Sequence, residues 1–534
     1  MFKKKGLMLD CSRDAVRTVK TVKKLADIMQ KLDFNTLMLY TEDTYEIDTQ
    51  PYFGYLRGRY TKDELREIDA YCAEKGIELI PCIQTLAHLN GIVDWEVYRE
   101  ITDCNDILLV GDSRVYGLID DMLRNVAETF TTKKIHIGMD EAWSLGLGKY
   151  LRQNGYTNPT EIMRFHLDKV SKIAEKYGLE PMMWSDMFFR VVSDGYYIDD
   201  PSLIDDVIRK TVPENVTPVY WDYYSLDKTH YDKMMQAHKN FGKPFWFAGG
   251  LWTWKGFTPH NLFSIETSKT AIASCIDYGV ENIFFTMWGD NGAETSPFAV
   301  LPSMYYVSCL LRGVNDDGEI KAGFKELFGI DYDDFAAIDI PEINRHDGDG
   351  VINVNPEKYM LYNDYFLGIY DSITDSSRNV IYKNTADKIK KLADDKNFGY
   401  LFKNICSLME VLAVKNDLGI RTRSAYKEQN RQELKAIVAD YEKTEKLLAD
   451  FLNAFTSQWY EENKAFGIEI HETRIGGLIQ RTKSCRKRLE KYLSGDIDRI
   501  EELEQTILDP ECNPDGGKRE LSKNEWSKYF VNVM

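Results

Sequence analysis

Thr61-Lys-Asp-Glu-Leu-Arg-Glu-Ile-Asp-Ala-Tyr-Cys-Ala-Glu-Lys75 is followed by Gly76 and then by Ile77-Glu-Leu-Ile-Pro-Cys-Ile-Gln84. The first run spaces its apolar residues as one face of a helix. The glycine suits a helix C-terminal cap, and the second run is an apolar stretch of strand length. The same unit recurs on both sides. Strands are expected at 6–13, 36–43, 77–84, 134–141, 180–187, 217–224, 243–252 and 280–289, and helices at 15–31, 61–75, 118–130, 161–176, 203–210, 227–240, 263–278 and 299–312. Alternation of this kind predicts a parallel sheet, and eight units fit a closed α/β fold, the (β/α)8 TIM barrel. An open doubly wound sheet is the competing arrangement. It would more often begin with a Gly-rich turn, and Asp10-Cys-Ser-Arg13 is not one.

Beyond the barrel the pattern changes. Asn315-Asp-Asp-Gly318, Asp331-Tyr-Asp-Asp334 and His346-Asp-Gly-Asp-Gly350 are acidic and turn-rich, which predicts a linker with minor structure. Helical periodicity without strands returns at 385–394, 401–415, 432–455 and 472–492, so a C-terminal α-helical region built as a bundle is expected. The expected organisation is a catalytic barrel at 1–315, an acidic linker region at 316–355 and a helical domain at 356–534, with a tail from 509 onward.

The 534 residues carry 67 Lys+Arg against 85 Asp+Glu, a net charge of −18. That balance argues against nucleic acid or an anionic membrane as partner. No apolar run approaches the roughly 18 residues of a membrane span, and the N-terminus lacks the apolar core of an export signal. Nine scattered cysteines without a C-x-x-C read as reduced thiols, so a cytoplasmic location is expected. Tyr 32, Phe 25 and Trp 10 against 8 His make the chain rich in rings and poor in imidazoles.

Barrel enzymes act at the C-terminal ends of their strands. Here those ends read Asp10-Cys-Ser-Arg13, Tyr40-Thr-Glu-Asp43, Gln84 with His88, His136-Ile-Gly-Met-Asp140-Glu141, Trp184-Ser-Asp186, Tyr220-Trp-Asp-Tyr-Tyr224, Trp252-Thr-Trp254 and Trp288-Gly-Asp290-Asn291. Any one of these acids has an ordinary reading as a helix N-cap or salt-bridge partner, and any one Trp as core. All eight ends together point to a site. H-E-x-x-H, G-x-S-x-G, the P-loop and the dinucleotide fingerprint are absent from the sequence. Carboxylates with indoles and phenols suit a carbohydrate. Asp140 and Glu141, splayed by the turn out of their strand, could both reach one sugar and divide between acid and anion.

The run His136-Ile-Gly-Met-Asp140-Glu141 resembles the H-x-G-G-D-E signature of family 20 glycoside hydrolases, the β-N-acetylhexosaminidases. Gly6-Leu-Met-Leu-Asp-Cys-Ser-Arg13 is similar to the family's R-G-x-x-x-D-x-S-R opening, Tyr40-Thr-Glu-Asp43 to its H-x-T/V-D-D, and the stretch from Tyr60-Thr61 to Pro81 to its Y-T-x-x-E…G-I-x-V-I-P. Tyr220-Trp-Asp222 resembles its Y-L-D, and Trp288-Gly-Asp290 its W-x-E, in family order across about 6–312. The resemblance implies a retaining exo-enzyme working by substrate assistance, one of the exceptions to the two-carboxylate scheme, with no metal and no cofactor. Glu141 would be the general acid/base, Asp140 would orient the 2-acetamido nucleophile, and Tyr220 would hydrogen-bond the acetamido oxygen. Trp184 and Trp288, with Trp254 as a third ring, would wall the sugar. Arg13, Asp222 and Asp290 would hold its hydroxyls, and His88, paired with Glu42 or Asp43, would support the acid. Met139 replaces the second Gly of the signature, Asp290 is one methylene shorter than the family's Glu, and Leu86-Ala-His88 stands for P-G-H. The competing expectations are a chitinase-like barrel glycosidase, whose D-x-x-D-x-D-x-E run is missing, and a sugar-binding protein without turnover. For the C-terminal helices, packing on the barrel and a homodimer interface are both open.

Overall fold

The computed structural model describes residues 2–190, 193, 195–343 and 356–508. The unit at 61–84 forms as its residues dictate. Thr61 caps helix Lys62–Glu74 by accepting from the Glu64 N–H, while the Glu64 carboxylate accepts from the Thr61 N–H at 2.9 Å. Gly76 leaves the helix at φ +72°, a conformation a side chain would oppose, and the strand follows.

The described residues form ten strands: β1 (Lys4–Asp10), β2 (Thr36–Glu42), β3 (Glu78–Ile83), β4 (Thr102–Cys104), β5 (Ile107–Leu108), β6 (Lys134–His136), β7 (Glu180–Trp184), β8 (Thr217–Trp221), β9 (Trp246–Gly250) and β10 (Asn282–Met287). β4 and β5 pair with each other, antiparallel, outside the barrel. The other eight close a parallel barrel in the order β1-β10-β9-β8-β7-β6-β3-β2. Strands covered on both faces read as continuous apolar runs, and every residue of β2 and of β9 is buried. Inside the barrel, Phe284 lies 6.0 Å from Trp184 and 6.2 Å from Trp246, ring to ring. On the outer side, Phe247 of β9 meets Tyr231 of helix Lys228–Asn240 at 6.1 Å. Among the described residues, no helix is long and apolar enough to cross a membrane.

Two expectations need correction. The fifth barrel helix, expected at 203–210, is only a 3-10 turn, Pro201–Leu203, and a single turn, Asp206–Arg209. Pro201 and Pro213 bracket too few residues for a helix to propagate. The start of the expected linker is also more ordered than its turn residues suggest. Helix Asp317–Phe328 and helix Tyr332–Ala336 occupy it, with Phe324 in contact with Tyr332 and Phe335 at 5.2 and 5.7 Å. The remainder of that linker at 344–355 and the expected tail from 509 lie outside the described residues.

Packing divides the chain into two units. Among the described residues, the first holds those up to 252 with 263–289 and 303–320, and the second holds 253–262, 290–302 and those from 321 to 508. The second unit therefore takes in the segments that follow β9 and β10, which chain order alone assigns to 1–315. Within it, Phe257 packs edge-on to Phe451 and Phe455 at 5.1 and 5.3 Å, and Lys358 pairs with Glu294 at 2.8 Å, both buried. Its described helices include Arg378–Ile389, Gly399–Lys415, Leu418–Lys427, Arg431–Glu462 and Ile468–Ser494, of which Leu418–Lys427 has no counterpart in the sequence reading.

At the N-terminal ends of the barrel strands, Glu78 opens β3 and accepts from Lys4 Nζ (2.6 Å), Thr132 Oγ1 (2.6 Å) and Lys134 Nζ (3.0 Å). Burial would raise this carboxyl, but the three donors outweigh it and hold it at about 2. A depressed carboxyl stabilises the fold above its unfolded value and loses that contribution as pH falls toward its folded one. Urea unfolding of Glu78→Gln is expected to show a loss of about 1 kcal/mol at pH 7, with a smaller loss at pH 4, where the unfolded carboxyl is already partly protonated. Equal losses at the two pH values would reject this account.

Candidate active site

The site is built on the turn out of β6. Gly138 and Met139 adopt φ of +70° and +71°, and Glu141 +50°. A Cβ on Gly138 would fall 2.0 Å from Gln84 Oε1, so only glycine fits there. Gln84, which follows β3, accepts from the Met139 N–H at 3.0 Å and donates through Nε2 to Asp140 Oδ1 at 2.8 Å and to the Tyr40 hydroxyl at 2.9 Å. Tyr40 in turn donates to Glu42 Oε1 at 2.9 Å, and Arg13 reaches the same oxygen at 3.0 Å. Asp10 anchors the rim beside them, accepting from the Ser12 and Gly289 N–H groups at 2.8 and 2.9 Å.

Asp140 and Glu141 share one imidazole. His88 Nε2 lies 3.3 Å from Asp140 Oδ2 and 3.5 Å from Glu141 Oε2. Burial works against a charged His88, but the Asp140 carboxylate outweighs it and raises the imidazole to about 9. Burial likewise opposes ionisation of Asp140, yet His88 and the Gln84 amide hold its carboxyl below the ordinary value. Asp140 is thus a buried anion with a cationic neighbour, while a third of the Glu141 side chain is open. The expected pairing of His88 with Glu42 or Asp43 is not what forms. Glu42 is taken by Arg13 and Tyr40, and Asp43 faces Arg57 at 3.2 Å.

Other expected residues divide. Trp184 is buried at the barrel mouth, 4.3 Å from His136 and 6.1 Å from Trp288. Trp288 stands edge-on to Tyr40 at 4.8 Å and donates from Nε1 to the Tyr223 hydroxyl at 3.1 Å. Tyr220 and Asp222 face the other way. Tyr220 stacks on His238 of helix Lys228–Asn240 at 4.6 Å and donates to Asp222 Oδ2, which also meets His230 Nε2 at 2.7 Å. Side chains alternate along a strand, so Trp221 and Tyr223 share the face that Tyr220 and Asp222 do not. Trp254 and Asp290 lie in the second unit, where Trp254 is buried and the Asp290 charge acts on the buried Lys255 ammonium.

Besides Gln84 and Tyr40, Tyr196, Asp186 and Tyr223 join the site without a role in the sequence reading. Tyr196 donates to Glu141 Oε1 at 2.8 Å. Asp186 accepts from the Glu141 N–H at 3.1 Å and from Trp221 Nε1 at 3.4 Å. Burial and the Asp140 charge push the Asp186 carboxyl up to about 7. Tyr223 was legible from the alternation along β8. Tyr196, on a stretch beyond β7 with no periodic pattern, had no such signal. Among the described residues, no group of three or more His, Cys, Asp or Glu side chains is arranged to hold a metal ion.

Comparison with known proteins gives two family matches. Residues 2–240 match the model described as "Glycosyl hydrolase family 20, catalytic domain", and residues 333–521 the one described as "Glycoside Hydrolase 20C C-terminal domain". Hexosaminidase D of Homo sapiens is 25% identical over 343 residues, 58% of this chain and 66% of that protein. A beta-hexosaminidase of Vibrio furnissii is 28% identical over 228 residues, 35% of this chain and 37% of that protein, so the chain spans less than two thirds of either. Among solved structures, the beta-N-acetylhexosaminidase of Streptomyces coelicolor A3(2) superposes with a TM-score of 0.44 at 20% identity, covering 62% of this chain and 70% of that one.

A base with a raised folded value keeps its charge, and the stability linked to it, until pH rises through that value. The His88 ring is therefore expected to titrate by NMR near 9, and in Asp140→Asn to fall by more than one unit. A His88 midpoint that stays put in Asp140→Asn would remove Asp140 as the cause.

Proposed function

The chain belongs to family 20 of the glycoside hydrolases, and from that premise we propose that it is a retaining exo-β-N-acetylhexosaminidase. It releases terminal β-linked N-acetylglucosamine or N-acetylgalactosamine from glycans, with the substrate's own 2-acetamido oxygen as nucleophile. The observation that carries this reading is the unequal treatment of two adjacent carboxyls: Asp140 is clamped as a buried anion by Gln84 and His88, whereas a third of the Glu141 side chain is exposed at the barrel mouth.

In the first step Glu141 gives its proton to the glycosidic oxygen as the C1–O bond breaks, and the acetamido oxygen closes on C1 from the opposite face. Asp140 accepts from the acetamido N–H and offsets the positive charge of the oxazolinium ring, which matters most in the transition state. In the second step the Glu141 carboxylate takes a proton from the water that opens the ring, giving net retention. The phenol that steadies the acetamido oxygen is Tyr223, on the face shared with Trp221 and Trp288, in place of Tyr220. Arg13, held by Glu42, is the donor for hydroxyls of the terminal sugar. A cytoplasmic location and a homodimer remain part of the proposal; the eight described cysteines are free thiols, and light scattering tests the second.

Hydrolysis of 4-nitrophenyl β-N-acetylglucosaminide and β-N-acetylgalactosaminide tests the reading. Asp140→Asn is expected to lose about 10²–10⁴-fold in kcat/KM on these substrates, and Glu141→Gln to lose that much on a glycan whose leaving group is a sugar alkoxide and less on the nitrophenyl glycosides. Tyr223→Phe is expected to lose more than tenfold, on the order of one hydrogen bond to developing charge, and Tyr220→Phe little. A thiazoline mimic of the oxazolinium should inhibit. Sugar binding without turnover in the wild type would reject the enzyme reading, and a large loss in Tyr220→Phe alone would reverse the tyrosine assignment.

A further inference from the structure

Resting on the assignment of Glu141 as the acid, we propose that Tyr196 is a positioning residue that holds one oxygen of the Glu141 carboxyl, so that the transferable proton sits on the other, and stabilises the carboxylate left when that proton departs. The contacts form a closed ring. The Tyr196 hydroxyl donates to Glu141 Oε1 at 2.8 Å, and its ring lies 5.0 Å from that of Trp221. Trp221 Nε1 donates to Asp186 Oδ1, and Asp186 Oδ2 accepts from the Glu141 main-chain N–H. One circuit therefore grips the backbone and the carboxyl of the same residue. A second wall supports it: Trp143 meets the Tyr196 ring at 4.8 Å and 76°, and the Arg190 guanidinium covers Trp143 at 3.6 Å.

Among the described residues, the titratable groups that face Glu141 include four from several segments. His88 approaches Oε2 from the segment after β3, Asp140 precedes it in the chain, and Asp186 and Tyr196 come from the segment after β7. Burial and the Glu141 charge push the Tyr196 phenol well up, so it stays a donor throughout the working pH range. A donor to a carboxylate favours the ionised form; its removal raises the affinity of that carboxyl for its proton and makes it a weaker acid. Glycosidic oxygens differ in their need for such an acid. A nitrophenolate leaves with little help, whereas a sugar alkoxide cannot.

Tyr196→Phe is expected to move the basic limb of the kcat/KM profile upward by about half to one pH unit. It should also lower kcat/KM for the β-1,4-linked disaccharide of N-acetylglucosamine about tenfold more than for the 4-nitrophenyl glycoside. The ratio between the two substrates is taken on one preparation, so a partly folded variant does not disturb it. An unmoved limb with equal losses on both substrates overturns the proposal, because a residue that only supports the fold gives that result. A wild type whose disaccharide rate is indifferent to Glu141→Gln overturns the assignment of the acid instead, and the proposal with it.

Discussion

The grip of the Gln84 amide on the turn after β6 is the interaction from which the rest of the site follows. Its oxygen takes the Met139 N–H, and its two N–H bonds go to Asp140 and Tyr40. The side chain is fully buried, and each of its three polar positions has a partner, so nothing in it opposes burial. Through Tyr40 the same amide is linked to Glu42 and Arg13, and through Asp140 to His88. Asparagine, one methylene shorter, cannot span from β3 to the turn, and the lack of a side chain at Gly138 is what lets the amide lie so close to the backbone.

Four site residues with side chains, Glu42, His88, Met139 and Glu141, hold left-handed backbone conformations. Each costs about 1–2 kcal/mol relative to the ordinary region, and such costs gather where function fixes the geometry. Met139 is informative here. It stands where the family signature has glycine, yet it keeps the glycine-like conformation, because its N–H is the donor Gln84 requires. Its buried side chain offsets part of the strain that glycine would not have felt. The departure from the signature therefore alters the side chain and leaves the backbone path unchanged.

The barrel was legible because its elements announce themselves locally. Apolar runs bounded by caps give the strands, and Thr61 with Glu64 and Gly76 shows in miniature why the helices begin and end where they do. The adjacency of Asp140 and Glu141 at the barrel rim was legible for the same reason, since a strand end and its turn are local. Direction was harder. Tyr220 and Asp222 belong to the helix side of β8, and period-two alternation from Trp221 would have said so; the motif match overrode it. The partner of His88 depended on competition among Arg13, Arg57 and four acids, Glu42 and Asp43 after β2 and Asp140 and Glu141 after β6, which no spacing encodes. Tyr196 enters only through the path of the chain after β7. The assignment of 253–262 and 290–302 to the second unit depended on rings such as Phe257 finding Phe451 and Phe455 nearly two hundred residues later.

That assignment bears on how the chain can be divided. Between residues 252 and 321 the polypeptide passes from one unit to the other five times. No single cut in the sequence separates the two, and a fragment ending near 320 keeps the covalent length of both inserted segments while losing the aromatic residues they bury against. The second unit as packed therefore needs the stretches 253–262 and 290–302 as well as the residues after 320, even though the barrel alone carries the carboxyl pair. A two-domain description drawn along the chain would mark a border where the molecule has a weave.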